Sequence, residues 1–411
     1  MERTKWMAFL IAASLLTVVV IGAILLRDEE VHQIIINGDD KLQDAADRHD
    51  WTGNGSPEDP FMISTNIHAE NDRPCISISN TSLHIIIKDC DLMHRSTEGD
   101  KLSFGLLLDN VTNVSIIGNS VSGGRAGLMM KSSSNTSMVG NIFGGMGSSL
   151  ITSVFDCRFE NNVFNTTEGS GLEMRNCDRN AFYSNSFKGN VLGAGGTRGW
   201  VGLVLSRSSN NTFFADRMNG GGYMGIGMSV IDSNDNRFDE VHFDGRIGMY
   251  MNRASSNDLS LSVFGDNVAT ALEMIDSDTN RFVGNSMTGN YTSTGIKSTS
   301  CSANLFERNA IGVRSAAGYA VHASGSNGNA LFRNNFYYLG TEVRTIALAF
   351  DDTGTNDWNG SEGGNHWGDW TSPDDNLDGI VDQPYLLDGP AGALDAMPLT
   401  ALIIFSASDT P

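Results

Sequence analysis

One pattern recurs along most of this chain, and it restricts the fold more than any other feature. Its clearest copies are Gly171–Phe187 (GLEMRNCDRNAFYSNSF) and Ala271–Met287 (ALEMIDSDTNRFVGNSM). Each runs from a small residue through an alternating apolar stretch and a polar turn of Ser, Asp and Asn. It then ends on Asn-x-Phe-x-x-Asn-x-apolar. The second Asn falls at Asn119, Asn141, Asn162, Asn185, Asn285, Asn309 and Asn334, with Asp216, Val241 and Ser262 in the equivalent place of three further copies. Neighbours are 22, 21, 23, 31, 25, 21, 23, 24 and 25 residues apart. Periods of this size mark stacked units, none of which buries its own apolar face alone. Each copy holds short period-two strand patterns and has no room for a long amphipathic helix. Leucine-rich and helical repeats are therefore disfavoured. What remains is an all-β, right-handed parallel β-helix of about eleven coils, roughly 50 Å long at about 4.8 Å per coil.

The landmark Asn is predicted to stack coil on coil, one per coil at one turn, satisfying turn backbone groups. Phe182, Phe213, Phe238, Phe282, Phe306 and Phe332 are predicted to form an inward aromatic ladder. By alternation Leu172 and Met174 point in, while Glu173 and Arg175 point out. Met130, Met174, Met228, Met251 and Met274 fall at inward positions, so methionine reads as core rather than as a copper-handling row.

Four regions follow. Residues 1–27 read as a signal anchor or signal peptide. Residues 28–60 read as an N-terminal cap, with a strand pattern at 32–37 and a short helix at Lys41–Arg48, capped by Asp39 or Asp40. Residues 61–350 are the coils, and residues 351–411 a Trp-rich C-terminal cap holding Trp358, Trp367 and Trp370. Trp6–Leu26 is 21 residues without a charge, about 31 Å as a helix and long enough to cross a bilayer. Arg3 and Lys5 precede it, which puts the body outside the cytoplasm. Cleaved, the segment leaves a secreted body; uncleaved, it leaves a single-pass protein whose partner is the membrane. Asn-x-Ser/Thr triplets such as those beginning at Asn80, Asn110, Asn113, Asn135, Asn165, Asn210, Asn290 and Asn359 agree with export.

The formal charge is −21, with 27 Lys and Arg against 48 Asp and Glu. No basic stripe is present, which argues against a nucleic-acid partner. Five cysteines (Cys75, Cys90, Cys157, Cys177, Cys301) include no CxxC, so a zinc ribbon is excluded. They read as small turn or core residues, with Cys75–Cys90 or Cys157–Cys177 bridges left open. Cys177 and Cys301 share an offset in coils too far apart to bond.

The sharpest local motif is Asp374–Asp382 (DDNLDGIVD). Oxygen donors at alternate positions and Gly at the sixth suit a hard cation such as calcium. Asp374, Asn376, Asp378 and Asp382 would be side-chain ligands, and Ile380 would offer its carbonyl. Tyr385 stands at the twelfth position, where an EF-hand has Glu, and flanking helices are lacking. The loop is EF-hand-like, or an acidic turn without metal.

On the first strand of each copy the outward row reads Leu107, Met129, Glu173, Val204, Tyr250, Glu273, Lys297 and His322, beside Asp109, Lys131, Arg175 and Ser206. Carboxylates, bases and an aromatic in line could bind a sugar polymer. Glu173 and Glu273 are four coils apart, about 19 Å at the strand spacing, too far for a glycosidase pair at about 5–10 Å. Asp232 with Asp235 and Asp276 with Asp278 are close, but lie in the ordinary polar turn. The catalytic residues stay unknown. The long intervals carry glycine-rich insertions at 189–199 and 219–225, with a smaller cluster at 144–147, and insertions of this kind map to one face. Arg198, Trp200 and Tyr223 lie in or beside them; aromatic faces with an Arg suit carbohydrate.

The coil pattern resembles the PbH1-type repeat of right-handed β-helices. The tail Gly363–Tyr385 (GGNHWGDWTSPDDNLDGIVDQPY), with Asp395 and Met397-Pro398-Leu399 after it, is similar to the end of archaeal, NosD-like β-helix proteins. The resemblance covers roughly residues 33–400. It implies a periplasmic accessory role in copper-site assembly for nitrous oxide reductase, or a polysaccharide-binding or polysaccharide-cleaving role known from other relatives of the fold. No metal-ligand cluster and none of the pectinase signatures Asn-Thr-Asp, Gly-His-Gly or Arg-Ile-Lys is present. The expectation is an extracytoplasmic binding or structural module for glycan or surface protein. The alternatives are a polysaccharide lyase or hydrolase and, third, a metal-assembly factor.

Overall fold

The computed structural model describes residues 33–70, 73–95, 103–191, 200–221, 224–361 and 363–404. The signal-anchor segment therefore lies outside the described residues. No helix among those described is long and apolar enough to cross a membrane.

Three long parallel sheets of 13, 12 and 13 strands wrap one core, giving a parallel β-helix of right-handed type. Each coil contributes one strand to each sheet: Leu172–Arg175 to the first, Ala181–Tyr183 to the second, Ser186–Lys188 to the third. Neighbouring coils pair without a slip along each sheet, so Glu173 faces Val204 and Phe182 faces Phe213. Period-two alternation sends Leu172 and Met174 inward, both buried, and Glu173 and Arg175 outward.

Two of the three corners are tight, and each carries an Asn column. At the corner between second and third sheets, Asn119, Asn141, Asn162 and Asn185 stack, each Nδ2 donating to the next side chain's Oδ1 at 2.9–3.0 Å. The column continues through Asp216, is interrupted at Val241, and resumes at Ser262, Asn285, Asn309, Asn334 and Asn365. Our expectation of one such column was too low. The first Asn of the pattern builds another, through Asn180, Asn211, Asn236, Asn257, Asn280, Asn304, Asn329 and Asn356, at the corner between first and second sheets. Both corners need residues at positive φ, for example Asn176, Arg179 and Ser184 in one coil. Each buried amide satisfies turn groups that have no strand partner, the condition for keeping a corner dry.

Inside the second sheet Phe159, Phe182, Phe213 and Phe238 stack at 4.5, 4.7 and 5.1 Å between centroids. Phe282 and Phe306 continue the row at 4.8 Å. Phe332 does not join it: Leu331 pairs with Phe306, while Phe332 pairs with the outward Glu307. The inward place is two residues after the first Asn, and Asn329 puts Leu331 there. The sequence offers a second ladder in the third sheet, Phe143, Phe164 and Phe187, which stack at 5.2 and 5.3 Å.

The helix spans Asp39–Arg48 and lays Leu42, Ala45 and Ala46 against the first rung. Its N-cap is Gly38, at φ 94°, and neither Asp39 nor Asp40 caps it. Both aspartates lie in the first turn, where their charge suits the helix dipole, and Thr81 Oγ1 donates to Asp39. At the other end Trp358 and Trp367 are buried, and their indole nitrogens donate to Asp351 at 3.1 Å and Asp395 at 2.9 Å. Burial opposes ionisation of Asp351, but donors from Asn356, Trp358 and Thr353 outweigh it and hold the carboxyl below its usual range.

All five cysteines are free and buried. Neither disulfide left open by the sequence forms. Cys90 and Cys157 occupy places in the two Asn columns, where their sulfurs accept from Thr65 N and Thr136 N at 3.4 Å.

Candidate functional site

The third corner joins the third sheet back to the first, and all the long insertions leave the stack there. The first sheet begins directly after this corner and turns one face outward. In that face the pairing sets Leu107, Met129, Leu150, Glu173, Val204, Ser229, Tyr250, Glu273, Lys297 and His322 in one line. Asp109, Lys131, Thr152, Arg175 and Ser206 run beside it. Every residue assigned to these rows from the sequence is in them.

The charges in the row are paired. Arg175 reaches Glu173 at 2.7 Å, and Ser148 Oγ donates to the same carboxylate at 3.0 Å. Lys297 meets Glu273 at 2.8 Å and Lys131 meets Asp109 at 2.9 Å. Glu173 and Glu273 are four pairings apart. This arrangement gives no free carboxylate pair along the row for acid–base work. Asp232 is likewise bound to Arg253 at 2.7 Å, and Asp278 accepts from Ser302 N and Oγ at 2.6 and 2.8 Å.

Sequence reasoning ended the row at His322, but it goes on. Phe350 pairs with His322, and their rings stack at 4.6 Å. Asp388, from the C-terminal segment, bridges to Phe350 as the next rung. Tyr319 leans on both rings and donates its hydroxyl to Asp388 Oδ2 at 3.2 Å. Burial lowers the His322 pKa, and Lys297 adds to the effect, which favours the neutral imidazole. Phe350 lies past Asn334, the last landmark Asn of the sequence pattern, and Asp388 in the segment read as the C-terminal cap.

Tyr250 accepts from Asn252 Nδ2 at 3.0 Å. Trp200 is half-buried and directly precedes the first-sheet strand Val201–Ser206, beside the coil of Glu173 and Arg175. Arg198 and Tyr223 lie outside the described residues.

In the acidic loop the side chains bind their own backbone. Asp374 accepts from Asp378 N and Gly379 N at 3.2 Å, and Asp378 from Ile380 N at 2.9 Å. Asp382 accepts from Asp375 N at 2.7 Å, and Asn376 donates to Asp378 at 2.9 Å. Ile380 is engaged through a bridge to Leu399. Among the described residues no group of three or more His, Cys, Asp or Glu is set to hold a metal ion.

A family model described as "Periplasmic copper-binding protein (NosD)" matches residues 52–213 and 200–372. The chain belongs to the NosD family. No curated protein matches it significantly. Among solved structures, the NosD-family chain is similar to the Dettilon tailspike protein gp208, at 12% identity and TM-score 0.43, over 75% of this chain and 59% of that one. It is also similar to the periplasmic alginate epimerase AlgG, at 10% and 0.43, over 75% and 83%. The A-module of the Azotobacter vinelandii mannuronan C-5 epimerase AlgE6 matches at 10% and 0.31, over 76% and 92%.

Among the described residues the sulfur donors that copper would favour are buried in the core. Burial pushes the thiols of Cys75 and Cys157 up to about 12 and that of Cys177 to about 11, which disfavours the thiolate in the metal-free protein. Met130, Met174, Met228, Met251 and Met274 are all fully buried in the core.

Proposed function

We propose that this NosD-family protein works outside the cytoplasm as a binding module of the cell envelope, held to the membrane by residues 6–26, and grips a glycan along the outward row of its first sheet. The observation that carries the reading is the unbroken register from Glu173 to Asp388, which lines up paired charges and the rings of Tyr250, His322 and Phe350 on one straight face. Rings offer flat apolar faces to sugar C–H groups, while fixed ion pairs offer donors and acceptors without a large net charge. Pairing of Glu173 and Glu273 with bases supports binding over hydrolysis or lyase chemistry. The family's description as periplasmic supports the compartment.

The test is binding of the purified protein to a panel of neutral and uronic-acid polysaccharides, with Tyr250→Ala, Lys297→Glu and Trp200→Ala beside it. Tyr250→Ala and Lys297→Glu should each weaken binding at least tenfold. Binding that neither changes removes the row. Capture of a surface protein in place of any polysaccharide turns the reading to the protein partner.

Calcium at Asp374, Asn376, Asp378, Ile380 and Asp382 belongs to the same proposal, as a stiffener of the tail. The support is the spacing of the oxygens and the bend at Gly379, which sits at φ 85°. Calorimetric titration should give saturable heat, abolished by Asp378→Ala; no heat at millimolar calcium ends it.

A further inference from the structure

The outward row runs into a cavity of about 680 Å³ in the C-terminal segment. Asp388 is both the last rung of the row and part of the cavity wall. Asp369, Trp370, Tyr385 and Leu386 complete the parts that matter here. Tyr385 is anchored: its ring stacks on the buried Trp367 at 4.0 Å, and its hydroxyl accepts from Leu348 N at 2.7 Å. Trp370 stands edge-on to Tyr385 at 6.2 Å between centroids, its indole nitrogen donating to Gln383 O at 3.0 Å. Asp388 is fixed by Tyr319 and by Ala347 N at 3.1 Å. The size falls within the usual range for small-ligand sites, roughly 300–1,000 Å³. Rigid aromatic walls with two carboxylates leave acceptors for hydroxyl groups and apolar surface for a ring.

We propose that this cavity is the terminal subsite of the row and takes the end unit of a neutral glycan. The proposal rests on the glycan reading above and narrows it to a substrate class. The chemistry selects against uronates. Asp369 and Asp388 would face any sugar carboxylate, and like charges at close range repel. The chain as a whole carries −21, which opposes approach of a polyanion. A neutral pyranose meets neither obstacle, and its hydroxyls donate to both carboxylates. Asp388 is the last rung of the row and a wall of the cavity, so a glycan lying along the row would place its end unit there.

The experiment titrates the full-length protein with neutral tetrasaccharides and with uronate tetrasaccharides, by calorimetry. Two variants accompany it: Trp370→Ala, and Leu386→Trp, which fills the cavity from an exposed position (Leu386 is 66% accessible) and keeps the packing beneath. Neutral tetrasaccharide should bind the parent, and both variants should lose at least tenfold while their melting temperatures stay close to the parent's. Reducing the tetrasaccharide's end to the open-chain alditol, or capping its other end, should abolish binding in one of the two cases. Leu386→Trp binding as tightly as the parent, or uronates binding better than neutral sugars, overturns the cavity. If Leu386→Trp has no effect but Tyr250→Ala still weakens polysaccharide binding, the row stands and only the terminal subsite falls. No binding of any glycan to the parent overturns both.

Discussion

Asp216 Oδ1 accepts two hydrogen bonds from Asn185, from the main-chain N at 2.6 Å and from Nδ2 at 2.9 Å, while its Oδ2 is buried without a partner. In the preceding coil Asn185 Nδ2 fills the matching place by donating to Phe159 O at 3.0 Å. A carboxylate has no proton to give there. Burial accordingly pushes the Asp216 pKa up to about 7, against the pull of the Asn185 donors. Asp216 keeps its place in the column with burial favouring its acid form, standing in for Asn.

Stability should therefore depend on pH through Asp216. The folded state holds a proton that the unfolded chain loses near pH 4, so the folded protein binds more protons and stability falls as pH rises. The loss accumulates between about pH 4 and pH 7 and then levels off. Asp216→Asn should remove this slope and add up to about 4 kcal/mol at pH 7, an order-of-magnitude figure from three pKa units at 1.36 kcal/mol each. Urea unfolding of both proteins at pH 4.5 and pH 8 checks it. Equal midpoint shifts at the two values exclude the neutral acid.

Breaking an intact column costs stability at any pH. Asn309 donates to Asn334 Oδ1 at 2.9 Å and Phe282 O at 3.0 Å, and accepts from Asn285 N at 3.0 Å. Asn309→Ala strands these groups in a dry corner, at about 1–3 kcal/mol for each unsatisfied group. We expect a loss of about 3 kcal/mol or more, with hydrogen exchange fastest in the two adjacent coils.

Glycines near the start of first-sheet strands let successive coils approach. A Cβ on Gly227 would lie 2.5 Å from Gly248 O and 3.0 Å from Asp244 O, both backbone. Gly227→Ala should destabilise by about 1–3 kcal/mol, the usual cost of overpacking. Gly140, whose Cβ would meet nothing within 4 Å but whose φ is +67°, should cost less, about 1 kcal/mol for the left-handed backbone alone. Thermal melts of the two variants rank them.

The five thiols should be inert in the folded protein. All are buried, and burial raises each pKa, so little thiolate is present at pH 8. A thiol-disulfide reagent should label none within minutes in buffer and all five in denaturant. Rapid labelling of one cysteine without denaturant would mark a coil that opens.

Much of this protein was readable before any coordinates. Short strands joined by two tight corners put like residues over like, so a near-regular recurrence of Asn already points to a column, with the variable length taken up at the third corner. The outward row from Glu173 to His322 followed from the same counting, because alternation in a strand has a period of two and admits no drift. Phe332 shows how local the rule is: one residue more than two from its Asn, and the ring turned outward in favour of Leu331.

The tertiary structure alone decided where the row ends and what it meets. Phe350, Asp388, Trp370 and Tyr385 come from segments with no common interval, so no periodicity could bring them together. Their meeting depends on how an irregular tail folds back over the last coil, a matter of long-range packing. Asp216 divides in the same way. Its membership of the column was countable, but its missing partner was not, because that depends on the depth of burial and on the neighbour left silent at Val241.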